Sequence, residues 1–256
     1  MGEVVPAFVI FFCLAAASLG SLYLHEKLPE RNRLDDAQAT IRLVANIFVV
    51  MTSLVLGLTI NSAKNRFDSI NRDVHVLAAE EVLLDRMLQF YGPEANEARR
   101  ALAAYAEHVA TSFPGEDGPH NFISPTSQRM LDALSASMRA IKSTDPQQLA
   151  ELNLARTQLF RVVGLHAALV QQAEGSIPTH MVVILVTWLI LIFASFGYRA
   201  PRAGVIVVVL VLSAAVISAS LYLIIDMDGP FTGPIHVSRA PLERAAAEMR
   251  RSPIGP

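Results

Sequence analysis

Apolar residues gather in four long runs, and the spacing of apolar positions changes character between them. From Thr40 to Ile60 the chain reads TIRLVANIFVVMTSLVLGLTI, uncharged after Arg42 for about eighteen residues, enough at 1.5 Å per residue to cross a hydrocarbon core of roughly 30 Å. Neither Pro nor Gly occurs between Asn61 and Tyr91, while Phe67, Ile70, Val74, Leu77, Leu84 and Leu88 recur at helical spacing. The pattern predicts one long helix, begun in lipid and finished in water, that joins a membrane unit to a soluble bundle. Its membrane part covers about 41–60; the other runs predict spans over about 4–24, 181–197 and 203–225.

The polar connection HEKLPERNRLDDAQAT contains Pro29 and makes the first two spans an expected antiparallel hairpin, with Asp35 or Asp36 as cap of the second helix. Ala16 with Gly20 and Ala17 with Ser21 form small-xxx-small pairs in the first span, as do Ala214 with Ser218 and Ala215 with Ala219 in the fourth; such faces let helices approach closely. Gly92-Pro93 predicts a turn into a helix from about Glu94 to Phe113, carrying Leu102, Tyr105 and Val109 on one side. The breaker-rich PGEDGPHNFI is a loop, and Ser124-Pro125 opens the next helix. Asp145-Pro146 repeats that device, with Gln148 placed to close a capping box. Gly175 and Pro178 interrupt the returning helix, and the short link 198–202 forces a tight turn into the fourth span.

The fold class predicted is an all-α integral membrane protein with four transmembrane helices in two hairpins. A first hairpin takes residues 1–60, an antiparallel four-helix soluble bundle 61–177, a second hairpin 178–228, and 229–256 form a tail with a short amphipathic helix, PLERAAAEMRR.

Composition agrees with that reading: 52% of residues are hydrophobic, 17% are charged, and the mean hydropathy is +0.40. A formal net charge of −2 with thinly spread Lys and Arg argues against a nucleic-acid partner. The single cysteine, Cys13, excludes an intrachain disulfide and a cysteine cluster. The histidines show no HExxH spacing, and no phosphate-cradling glycine loop or GxSxG is present. No enzyme activity, metal or cofactor is expected. The N-terminal run lacks a basic leader and is too long for an ordinary signal peptide, so it is read as a span.

After the fourth span the chain reads LIIDMDGPFTGPIHVSRAPLERA, in which Asp228, Pro230, Phe231, Gly233, Ile235, Val237, Ser238, Pro241 and Leu242 match the closing pattern of the bacterial bestrophin-like family. The stretches RLVANIFVVMTSLVLGLTINSAKNRFDS, AEEVLLDRMLQFYGPEA and SIPTHMVVILVTWLILIFASFGYRAPR also resemble it, so the similarity covers nearly the whole chain. Departures are Phe113, where relatives carry Trp, and Pro234 inside the terminal motif. The resemblance implies four membrane helices and a distant tie to bestrophins, pentameric anion channels with a large cytoplasmic helical region between spans two and three. It implies a homo-oligomer in the bacterial inner membrane with the bundle in the cytoplasm and inorganic ions as partners. Loop charge does not fix that orientation: Lys27, Arg31, Arg33, Arg42, Arg199 and Arg202 on one side are nearly balanced by Lys64, Arg66, Arg72, Arg239 and Arg244 on the other.

The candidate sites follow from this plan. Asp226 and Asp228, followed by the helix-breaking Gly229-Pro230 and by Phe231, would form an acidic ring around an oligomer axis, or simply hydrate the end of a helix. Asn46, Thr52, Ser53 and Thr59 give the second span a polar side that either lines a wet pathway or bonds between packed helices. No Asp, Glu, Lys, Arg or His lies inside the four cores, which disfavours a driven transporter. Glu81 and His166 interrupt apolar stripes of the bundle. Helical rise puts Glu81 roughly 30 Å above the membrane, level with Arg156, so a structural Glu81–Arg156 ion pair is expected. His166, roughly 18 Å up, is a candidate sensor or a packing residue. The function expected is passive ion permeation through an oligomer; the alternative is a membrane-anchored sensor or scaffold without a pore.

Overall fold

The long second helix forms without a break. In the computed structural model α1 is Val5–Leu24, α2 Asp35–Tyr91, α3 Asn96–Ser112, α4 Pro125–Ala140, α5 Pro146–Gln172, α6 Thr179–Gly197, α7 Gly204–Asp228 and α8 Ala240–Arg251. The structure describes residues 5–24, 35–112, 125–172, 179–198, 200, 203–229, 231 and 234–251, without the side chains of 35–42 and 179. No strand occurs among the described residues, and α1, α2, α6 and α7 each carry an apolar stretch long enough to cross a membrane. The protein is an all-helical membrane protein.

Local chemistry explains the ends. α2 stops where Gly92 takes φ 113°, a left-handed conformation that side chains avoid, and Pro93 opens a 3-10 turn, Pro93–Ala95, closed by the Ala95 N–H on the Gly92 carbonyl at 3.1 Å. At α5 the Asp145 carboxylate accepts from the Gln147 N–H at 3.1 Å. Gln148 acts differently from a capping-box residue: its side-chain oxygen accepts from the Ser143 hydroxyl, which in turn accepts from the Asp145 N–H. Ser124 and the loop 114–123 lie outside the described residues.

Contacts divide the chain into two units, Met1–Asn65 with Gly175–Asp228, and Arg66–Glu174 with Gly229–Pro256; the division falls inside α2. In the first, α1 packs against α6 and α7 around Leu14, Leu185, Leu189, Phe193, Ala214 and Leu221. The close approach is real, but half of the anticipated small pairs make it. Ser21 donates to the Ala194 carbonyl, Ser218 donates to the Ala7 carbonyl, and a Cβ on Gly197 would stand 2.0 Å from the Ser18 oxygen. Ala16, Gly20, Ala215 and Ala219 point away from the packed faces.

The second unit is a helical bundle. Ile70, Val74, Leu77, Leu84 and Leu88 of α2 meet Leu102, Tyr105 and Val109 of α3, Leu131, Leu134 and Met138 of α4, and Leu152, Val162 and Leu169 of α5. α2 and α5 run antiparallel: Arg66 donates to the Gln172 carbonyl, Gln172 to the Asp73 carboxylate, and Gln158 to Glu80. The C-terminal segment is part of this core. Leu242, Ala245, Ala246 and Met249, spaced i, i+3, i+4 and i+7, bury one face of α8 and bring Phe231 and Val237 with them.

Candidate functional site

Two arrangements carry polar chemistry. The first is on the membrane half of α2. Ala45, Thr52, Thr59 and Ala63 are buried, while Leu43, Val44, Ile47, Val50, Met51, Leu54 and Leu58 are exposed and suit lipid. Between these two faces Asn46, Ser53, Gly57 and Lys64 are all exposed, and at about 100° per residue their spacings of 7, 4 and 7 hold them within a strip roughly 40° wide. The anticipated polar side therefore separates. Asn46 and Ser53 face outward, Ser53 donating to the Val49 carbonyl at 2.8 Å; Thr52 is 3% exposed and its hydroxyl has no partner.

At the end of α7 the two candidate carboxylates are not open on the surface of the single chain. Asp226 and Asp228 are each 8% exposed and engaged within the protein. Phe231 is buried in the bundle core, and Pro230 lies outside the described residues.

The second arrangement is inside the bundle. Tyr105 of α3 and His166 of α5 are buried, with Tyr105 Oη and His166 Nδ1 at 2.9 Å and the rings edge-to-face at 5.7 Å between centroids. Burial, and secondarily the charge of His108, push His166 down to about 4. Burial, then the charge Glu81 acquires at high pH, pushes the Tyr105 phenol well above its ordinary range. Glu81 is 1% exposed, neither carboxylate oxygen has a hydrogen-bond partner, and burial raises it to about 8. All three are neutral near pH 7. His108 adds a buried Nε2 without a partner, its Nδ1 being 3.4 Å from Ser112 Oγ.

The expected Glu81–Arg156 ion pair is not formed. The Gln158–Glu80 contact shows that the two residues do share a height, but Gln158 is the α5 residue turned toward α2. Arg156, two residues earlier and so about 200° around the helix, donates instead to the Met138 carbonyl at 3.2 Å, one of the last carbonyls of α4. The buried ion pair is another one. Arg99 Nε and Nη2 meet Asp85 Oδ1 and Oδ2 at 2.9 and 3.3 Å, with side chains 3% and 6% exposed. Its signal was available: Asp85 follows Glu81 by one helical turn on the buried stripe, and Arg99 precedes Leu102 by three.

Among the described residues no three His, Cys, Asp or Glu side chains converge to hold a metal ion. What remains is a polytopic helical membrane protein with a polar line on one span and a neutral polar cluster in its second helical unit. The Bestrophin-like domain matches residues 12–242, and the chain belongs to that family. It is similar to a point mutant of a bacterial bestrophin homologue from Klebsiella pneumoniae, with 14% identity, a TM-score of 0.70, and coverage of 95% of this chain and 97% of that one. The same homologue solved by zinc phasing gives 14%, 0.64, 95% and 96%, and a point mutant described only as a membrane protein gives 13%, 0.65, 96% and 96%. At such identities the likeness is one of fold. No curated protein matches the chain.

Proposed function

We propose that the protein is a homo-oligomeric, bestrophin-like channel of the bacterial inner membrane, a passive pathway for inorganic ions with α2 lining it and the bundle on the cytoplasmic side. The carrying observation is the exposed Asn46–Ser53–Gly57–Lys64 line, which sets three polar side chains and a glycine along one edge of the apolar face of α2. Polar side chains facing hydrocarbon are costly, and self-association around water relieves the cost. Exposed apolar side chains on the bundle also favour association: Val76, Leu83 and Phe90 stand one heptad apart on α2, and Leu154 and Phe160 stand out from α5. A pentamer follows by analogy with bestrophins. Permeation of this kind requires no cofactor, no nucleic acid and no chemical step.

Protein reconstituted in liposomes is expected to pass ions down a gradient, and the paired substitution Asn46→Leu with Ser53→Leu to reduce that flux at least several-fold while leaving particle mass unchanged. A monomeric particle without flux overturns the proposal. The second reading, a sensor or scaffold without a pore, draws on the buried Glu81, Tyr105 and His166; unaltered flux in the paired variant beside a bundle-dependent phenotype favours it.

A further inference from the structure

α2 carries a buried acid at a position where its pattern calls for an apolar residue. Leu77 and Leu84 flank Glu81 at i−4 and i+3, both with 0% exposure, and Glu81 is as deep as they are. We propose that Glu81 is a proton-operated lock on the bundle: as a neutral acid it lets α2, α3 and α5 share one core, and its ionisation opens that core along the α2 seam.

The argument rests on what surrounds it. From α3 come Tyr105 and His108, while Arg99 is committed to Asp85. From α5, Gln158 serves Glu80, His166 bonds Tyr105, and Arg156 donates through Nη2 to the Met138 carbonyl; its Nε is buried without a partner, yet it makes no hydrogen bond to either Glu81 oxygen. α4 contributes Ser127 as its buried polar residue, and on α8 Glu248 and Arg250 pair outward with Arg86 and Glu107. On α2 itself the nearest charged groups, Glu80 and Asp85, are of like sign. Among the described residues no cation bonds either Glu81 oxygen, so ionisation inside the closed bundle leaves a bare charge in an apolar core, and exposure to water is the route that relieves it. Burial lifts the group to about 8, so the lock is closed at neutral pH and releases on the alkaline side. This holds whether or not the membrane half conducts.

The test uses full-length protein in lipid nanodiscs, with Cys13→Ala removing the native thiol and Ala106→Cys placing a reporter at a position of 0% exposure on α3. Maleimide labelling rates are measured from pH 6 to 9.5, and each is divided by the rate of the same protein carrying Glu81→Gln, which cancels the thiol's own titration. The expected ratio is near one at pH 6.5 and rises through pH 8 to roughly tenfold by pH 9.5, following the ionised fraction. A ratio flat at one overturns the lock, and so does a ratio above one that ignores pH, since that reports packing alone. Glu81→Met replaces the Gln reference if the latter does not fold.

Discussion

Tyr105 and His166, sixty-one residues apart in sequence, meet across α3 and α5 through a 2.9 Å hydrogen bond. Both lie in the bundle core, so the bond offsets part of the cost of burying two polar groups.

Tyr105→Phe keeps the ring and removes the oxygen, leaving His166 Nδ1 without this partner. An expected loss of about 1–3 kcal/mol follows from stranding a buried acceptor or donor. Removing both groups, with His166→Leu added, is expected to recover much of it. Chemical denaturation of the four proteins of the cycle measures the coupling, and strictly additive losses would refute it.

The Arg99–Asp85 pair makes a sharper prediction. Arg99→Met alone strands a carboxylate with 6% exposure, at an expected cost of about 3–5 kcal/mol, whereas Arg99→Met with Asp85→Leu is expected to lie near the parent. Thermal unfolding of the bundle signal checks the order: single variant lowest, double variant recovered. A single variant as stable as the parent contradicts a buried, compensated pair.

Lengths and heights along helices were legible in the sequence, and directions around them were not. α2 could be followed from its missing breakers to Gly92, and Glu81 and Arg156 were placed at a common height, because rise accumulates slowly with residue number. Azimuth turns about 100° per residue, so a shift of two residues sent Arg156 to the α4 terminus. The same sensitivity split Thr52 from Asn46 and Ser53, and turned Gly20 outward while Gly197 made the close approach. The burial of Asp226 and Asp228 was not legible either, since a charged helix end reads the same in sequence whether exposed or covered. The place of α8 was half visible: its apolar face was plain, but nothing nearby in the chain identified the bundle as what it covers.

Gly197 gives a membrane test with a built-in control. A methyl group there would stand 2.0 Å from the Ser18 backbone oxygen, so Gly197→Ala must push α1 and α6 apart, costing about 1–3 kcal/mol. A methyl on Gly20 meets nothing within 4 Å. In detergent the Gly197→Ala protein is expected to melt several degrees lower and Gly20→Ala at the parent temperature; equal melting of the two would show that the α1–α6 crossing is looser than described.

His166 and Glu81 should bound the bundle's stability from opposite sides. For His166 burial depresses the folded value to about 4 from 6.5, so the unfolded chain binds its proton first and stability falls as pH drops from about 6.5 to 4. For Glu81 the folded value is raised to about 8 from 4.5, so the folded chain holds the extra proton and stability falls as pH climbs from about 4.5 to 8. Where the windows overlap, between about 4.5 and 6.5, the two slopes oppose and stability is expected to plateau; outside it each group alone gives about 1.4 kcal/mol per pH unit at most. Denaturant midpoints of the full-length protein across pH 4 to 9 should show this profile. Glu81→Gln should flatten the alkaline limb and leave the acid limb, and His166→Asn, whose amide oxygen can stand in for Nδ1, should flatten the acid limb and leave the alkaline one. A variant that moves the other residue's limb would mean that the two groups titrate as one coupled pair rather than as separate guards of the same core.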